Sequence, residues 1–481
     1  MSREDLALYH QYDVSSTGQV WEALSGELHR DPDSKKVYYT QMRLLPYIAE
    51  SMEEGISVNA VKVQEAYVEY EKKVIDADAL AQSVTGWPIN IRSDKQLGYE
   101  LYDVLGLPVQ KNHKTKSRTL AKDAVVVLRN KFLEVDPDEE VSEAHSLRRI
   151  EEGANPLLEA IVLAGEAQQA ISHFLNPLMR EDGSVVSRVH PNISLHAQAN
   201  ARWSITNPPV GLAPKSLVSM YQPDANWPWL IYDMDQIELR LVAMECQDAK
   251  LLEAFEKGWD IHAVGAYTLF SLPWPPNPCD PSHAPENAEW REQVNWLKCD
   301  HANEICGKDD PRRHFAKTFR HRRSYGGTAK RAGDIPGAKK LGLKSKDLTE
   351  IATRDAAMFP RLLSWQEETA RKGALEGLTR TWYGRRRCYL GRRGAYLKGQ
   401  MLDHPMQAGV ADLMMLTFLE IKEAYGDDVY YVYGKHDSAI WAIREEKWEE
   451  IVPGMRAIVT KERLVNGRLA SFPASFKERR S

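Results

Sequence analysis

Apolar positions recur at helical spacing through residues 41–76 (QMRLLPYIAESMEEGISVNAVKVQEAYVEYEKKVID), with a break at Gly55, and this predicts two amphipathic helices meeting at that glycine. A polar interruption, INIRSDKQL, begins at Ile89. A short helix follows and stops at Gly106-Leu107-Pro108, and a basic loop, KNHKTKSRTLAK, then runs from Lys111 to Lys122. Helical spacing returns over 156–178, so these segments together predict an elongated helical lobe with a basic tip. Two stretches carry a different pattern. Residues 229–233 (WLIYD) and 428–442 (DVYYVYGKHDSAIWA) are dense in aromatic and β-branched residues and predict buried strands, with mostly helical sequence between them. The proline-rich run 273–286 (PWPPNPCDPSHAPE) can sustain neither a helix nor a central strand and predicts a surface insertion. No fixed-period repeat is present, which argues against a solenoid.

Composition narrows the class without naming a function. At 481 residues, 43% hydrophobic and 27% charged, the chain reads as a globular protein of several lobes. No apolar run approaches the roughly 20 residues that span a bilayer, and the opening MSREDLALYHQYDV has no targeting pattern, so no membrane role and a cytoplasmic location are expected. Five cysteines suit a reducing compartment better than a disulfide framework. The net charge of -5 hides a strong local imbalance. Between Lys308 and Asp347 there are 13 Lys and Arg against four Asp, and further basic clusters stand at Arg385-Arg386-Arg387, Arg392-Arg393 and Lys111–Lys122. Such clusters can neutralise phosphates along a duplex, although any one of them taken alone also fits a solvated surface face.

Candidate chemistry gathers at three places. Asp233 ends one predicted strand and Asp437 follows another in the sequence KHD; two carboxylates on adjacent strands can hold a pair of Mg²⁺ ions, but sequence does not show adjacency. In RRHFAKTFRHRRSYGG, the residues Arg313, Lys317, His321 and Tyr325 recur every four positions and so form one helical stripe. That stripe is roughly 18 Å long, enough to reach from a triphosphate to a base, with Arg and Lys suited to phosphate oxygens and Tyr to stacking. An exposed basic helix with incidental aromatics would show the same spacing.

Together these residues resemble the signature motifs of family A, bacterial DNA polymerase I-like, DNA polymerases: DMDQIELR at 233–240 with WDIH at 259–262, RRHFAKTFRHRRSYGG at 312–327, and KHDS at 435–438. Weaker matches (INIRSDKQLGYELYDVLGLP, ARWSITNPP, TRTWYGRRR and HPMQAGVADLMML) extend the resemblance over most of the chain. It implies an α+β right-hand fold: the end of a 3'–5' exonuclease domain at 1–40, a helical thumb at 41–190, an antiparallel-sheet palm at 191–250 and 396–481, and mainly helical fingers at 251–395 with an insertion at about 271–308. The implied activity is DNA-templated addition of deoxynucleoside triphosphates to a primer 3' end, with two Mg²⁺ ions, replaceable by Mn²⁺, on Asp233, Asp437 and the Met234 carbonyl. Arg313, Lys317 and His262 would grip the triphosphate, with Lys317 as proton donor to pyrophosphate, and Gln236, His321 and Tyr325 would line the nucleotide site. Glu238 would fill the space of a ribose 2'-hydroxyl. Arg202, Gln407 and His436 would meet the primer terminus and minor groove, and Lys114, Lys116 and Arg118 the duplex.

Departures from the family pattern set further expectations. His321 stands where Phe or Tyr is usual, Asp235 where Ser is common and Ser438 where Glu is common. The insertion holds Cys279, His283, Cys299, His301 and Cys306 in no standard zinc spacing, so reduced cysteines are expected there. Tyr9, Asp13 and Thr17 resemble only the last motif of the exonuclease, so the chain is expected not to proofread alone; a phage source with a separate exonuclease subunit would fit. A single-subunit RNA polymerase is disfavoured by Glu238, and a binding-only protein by retention of the paired carboxylates.

Overall fold

In the WLIYDM strand, Trp229–Met234, side chains alternate across the pleat, and Trp229, Leu230, Tyr232 and Met234 are all at most 1% exposed while Asp233 is exposed. The strand's buried backbone N–H and C=O groups need partners on both edges. The computed structural model, which describes residues 3–112, 115–120, 124–125, 128, 156–256, 261–271, 310–327, 335, 338, 341–389 and 395–480, supplies them. Trp229–Met234 lies between Ala474–Arg479 and Ser438–Ile443, and Val429–Lys435 adds the fourth strand, every pairing antiparallel.

The described chain divides into two compact units. One comprises Met52–Asn192 and Ile205–Ala225; the other comprises Met1–Ser51, Ile193–Ser204 and Asn226–Arg480 and contains the four-stranded sheet. In the first unit the helix Ala60–Thr85 starts where the Asn59 side chain accepts from the Lys62 amide, at 3.1 Å, and ends at Gly86. It packs on Pro156–Ala170 through small residues, Ala77, Ala81, Ala160 and Ala164, with Leu157, Leu158 and Leu101 filling the core between them. The two helices expected around Gly55 are Pro32–Glu54 and Ala60–Thr85, and the turn between them also holds a short strand, Ile56–Val58. The expected 156–178 helix is α-helical to Ala170 and then changes pitch.

In the second unit the helix Ala395–Tyr425 is seated on the sheet by aromatic contacts: Phe418 lies 4.8 Å from Trp441 and 5.3 Å from Tyr431, ring centre to ring centre, and Trp203 closes the cluster at 5.5 Å from Phe418. The helix Ile237–Cys246 follows the Trp229–Met234 strand directly, after Gln236 in the left-handed region at φ 54°. Near its end, burial pushes the Glu245 carboxyl up to about 7, opposed by a hydrogen bond from Asn466. Its proton is therefore held more tightly in the folded chain than in the unfolded one. Stability is lost as pH rises from about 4.5 to about 7 and is level above that. Glu245→Gln is expected to add about 2 kcal/mol at pH 8 and almost nothing at pH 4. Urea unfolding of parent and variant at both values checks it; an equal effect at the two pH values would refute a protonated Glu245.

No helix among the described residues is long and apolar enough to cross a membrane. The cysteines and histidines of the insertion, and Lys114, lie outside the described residues.

Candidate active site

The two aspartates meet through strand register. Asp233 pairs with Ser438 on one side and with Ser475 on the other, and the Met234 amide donates to the Asp437 carbonyl at 3.0 Å. Asp437 sits in a two-residue turn, His436-Asp437, that joins Val429–Lys435 to Ser438–Ile443, with His436 in the left-handed region at φ 58°. Gly434 fixes that turn: a Cβ there would lie 2.5 Å from the Ser438 carbonyl oxygen and 2.7 Å from the Tyr431 hydroxyl. Burial and then the charge of Asp233 push Asp437 up to about 6, and partial burial with Asp235 raises Asp233. Lys317 and Lys477 act on Asp233 in the opposite direction. A divalent cation between the two would offset this repulsion, so the residues present fit one. Among the described residues no set of three or more Asp, Glu, His or Cys side chains forms a metal cage.

The helix Pro311–Ser324 begins at Asp310, whose side chain accepts from the Arg312 amide at 2.7 Å, with Pro311 in its first turn. It ends at Gly326, φ 77°, where the Gly327 amide reaches back to the Arg322 carbonyl at 2.9 Å. Phe315, Ala316, Phe319, Arg320 and Ser324 form the buried back of this helix, while Lys317 and His321 are exposed and Arg313 and Tyr325 are half-buried, so the stripe faces outward at its middle. At its end the Tyr325 hydroxyl donates to Glu238 at 2.6 Å. Glu238 also pairs with Arg202 and stands 3.5 Å from His321 Nδ1, and the His321 and Tyr325 rings meet edge to face at 5.0 Å. Burial, followed by the Glu238 charge, raises the Tyr325 hydroxyl, so it remains a donor. Gln407 accepts from Asn200 at 2.6 Å and lies beside Tyr325. Burial and then the Arg202 charge lower His436.

This places Asp233, Asp437, Met234, Glu238, Arg202, His321, Tyr325, Gln407 and His436 in one connected neighbourhood, with Lys317 in electrostatic reach. Gln236 borders it, its side-chain oxygen buried without a hydrogen-bond partner among the described residues. His262 is buried in the first turn of Ile261–Phe270, a helix that packs on Pro311–Ser324. Lys116 and Arg118 belong to the other unit, where Arg118 is engaged by Asp103 at 2.8 Å. Sequence reasoning missed Asp403, which burial pushes up to about 6 and which feels Arg202, Arg387 and Glu238. It precedes Gln407 by one helical turn, and that spacing was its only signal.

Residues 60–276 match the profile of DNA polymerase family A. The thermostable DNA polymerase I of Thermus filiformis is 25% identical over 411 residues, covering 82% of this chain and 42% of that protein; DNA polymerase I of Pseudomonas aeruginosa is 23% identical over 474 residues, covering 95% and 46%. The chain is similar to the family A DNA polymerases over these stretches. It spans less than half the length of these relatives. The fold is shared with the solved POL domain of Pol1 from M. smegmatis in complex with DNA primer-template and dNTP, at a TM-score of 0.74 and 22% identity over 96% of this chain and 73% of that one. Asp233, Glu238 and His262 fall inside the family A profile match, whereas the Pro311–Ser324 stripe and Asp437 lie beyond it and join the site through the contacts described above.

Proposed function

We propose that this chain is a DNA-templated DNA polymerase. The observation that carries the reading is the antiparallel register that sets Asp233 beside Asp437, with a helix of outward-facing cations tied to the same site through Tyr325 and Glu238. Asp233, Asp437 and the Met234 carbonyl would hold two Mg²⁺ ions, which when bound supply a more acidic attacking hydroxyl and charge stabilisation on phosphoryl oxygens. Arg313 and Lys317 bind the triphosphate, and Lys317 delivers a proton to the leaving pyrophosphate. His262 lines the same region. Tyr325 covers the nascent base pair, and Glu238, fixed by Arg202, excludes a 2'-hydroxyl. Arg202, Gln407 and His436 test base-pair shape from the minor groove, whose acceptors are similar for all correct pairs. In this reading the helical unit around Ala60–Thr85 is the thumb and Lys116 and Arg118 meet duplex phosphates. The Arg118–Asp103 pair is exposed and screened by solvent, so a phosphate can replace its carboxylate.

Extension of a labelled primer-template with Mg²⁺ and either deoxynucleotides or ribonucleotides tests the proposal. Templated extension with deoxynucleotides alone is expected. Duplex binding without extension would point to a binding protein on this fold, and equal use of both sugars would remove the role given to Glu238.

A further inference from the structure

Behind the cationic stripe lies a buried cluster in which Arg320 and Arg323 meet partners from outside the quoted motifs. Arg320 is 2% exposed, and its guanidinium stands 3.0 Å from Asp355, itself 3% exposed, on the helix Ser345–Met358. The other oxygen of Asp355 takes Arg323 at 3.4 Å. Gln366, 4% exposed and on Pro360–Glu376, donates its amide to the carbonyls of Arg323 at 2.6 Å and Ser324 at 3.0 Å, the last turn before Tyr325. Asp248 is the second buried carboxylate near Arg320; it accepts from the Leu251 amide at 3.2 Å and the Arg361 amide at 3.1 Å. Arg320 also lies over the Phe359 ring at 4.4 Å and faces Gly265 on the neighbouring helix.

We propose that Asp355 and Gln366 are positioning residues that fix the roll and the C-terminal end of the Pro311–Ser324 helix, and so aim Lys317, His321 and Tyr325 at the incoming nucleotide. The inference rests on the polymerase reading above. Arg320 and Arg323 are three residues apart on the back of the helix, and one carboxylate holds both, which leaves the helix a single orientation. Each residue turns a helix by about 100°, so a small roll carries the stripe off its target. Gln366 binds the carbonyls of the last turn, that of Arg323, which also accepts from the Gly326 amide at 2.9 Å, and that of Ser324, immediately before the Tyr325 hydroxyl that engages Glu238.

The test is single-nucleotide incorporation by the parent, Asp355→Asn and Gln366→Met, with melting temperature and primer-template affinity measured alongside. Both variants are expected to raise KM for the nucleotide by about tenfold, with a smaller change in kcat and unchanged primer-template affinity. The charge-balanced pair Asp355→Leu with Arg320→Leu is expected to regain thermal stability while keeping the raised KM. A parental KM in folded Asp355→Asn, or recovery of KM together with stability in the pair, would overturn the proposal. If Asp355→Asn does not fold, Gln366→Met decides alone: a raised KM supports the positioning role and a parental KM overturns it. Failure of the parent itself to extend a primer would instead sink the polymerase reading.

Discussion

Asp437→Asn is expected to lower templated primer extension by about 10³-fold or more while leaving primer-template affinity within a few-fold of the parent. The substitution is nearly isosteric, so the His436-Asp437 turn and the Met234 amide bond to the residue 437 carbonyl survive, and what is lost is one negative charge at the point where Asp233 faces it. Asp235→Asn is the matched control. Asp235 lies two residues from Asp233 and its carboxylate accepts from Ser475 at 3.0 Å, so its loss removes a similar charge without removing a proposed ligand, and an effect below about tenfold is expected. Single-turnover extension at saturating Mg²⁺ compares the two. Similar losses in both variants would mean that local charge, and not Asp437 as a ligand, sets the rate.

Asp412→Ala is expected to cost about 3–5 kcal/mol of stability, the range for breaking a buried ion pair on one side. Asp412 is 0% exposed, accepts from Arg385 at 2.7 Å and from the Thr381 hydroxyl at 2.6 Å, and so ties the hairpin Leu378–Cys388 to the Ala395–Tyr425 helix. Trp382 reinforces the same joint, donating to the Gly409 carbonyl at 3.0 Å. Alanine would strand the Arg385 guanidinium. Replacing both partners, Asp412→Leu with Arg385→Met, is expected to recover most of the loss, because two apolar chains of similar volume avoid the desolvation of both charges. Equilibrium urea unfolding of the three proteins measures this. Gln407 is on the same helix, so the single variant is also expected to weaken whatever contact Gln407 makes.

The strands that lead to Asp233 and Asp437 were legible because WLIY and VYYVY are dense in aromatic and β-branched residues and almost wholly buried. The stripe was legible because four-residue spacing survives whatever packs behind it. The last strand of the sheet was not: Ala474–Arg479 alternates between half-buried and exposed positions, and ASFKER carries no strand signature without the partner it pairs with. Asp355 and Asp412 were equally silent, because an acidic residue inside a helical pattern reads as solvated until tertiary packing puts an arginine against it. Glu238 was identified by resemblance, but its three partners, Arg202, His321 and Tyr325, come from distant parts of the chain, and only folding unites them.

The placement of the Trp229–Met234 strand bears on how the protein is made. Both of its neighbours, Ser438–Ile443 and Ala474–Arg479, belong to the last tenth of the chain, more than 200 residues downstream. At ribosomal rates of about 5–20 residues per second this strand waits for ten seconds or more, bare on both edges, before either partner exists. An unpaired hydrophobic strand is a template for pairing with other chains. A chain interrupted between Ser438–Ile443 and Ala474–Arg479 would therefore carry every residue of the proposed catalytic set but with one edge of Trp229–Met234 open, a species directed towards aggregation and chaperone capture more than towards activity.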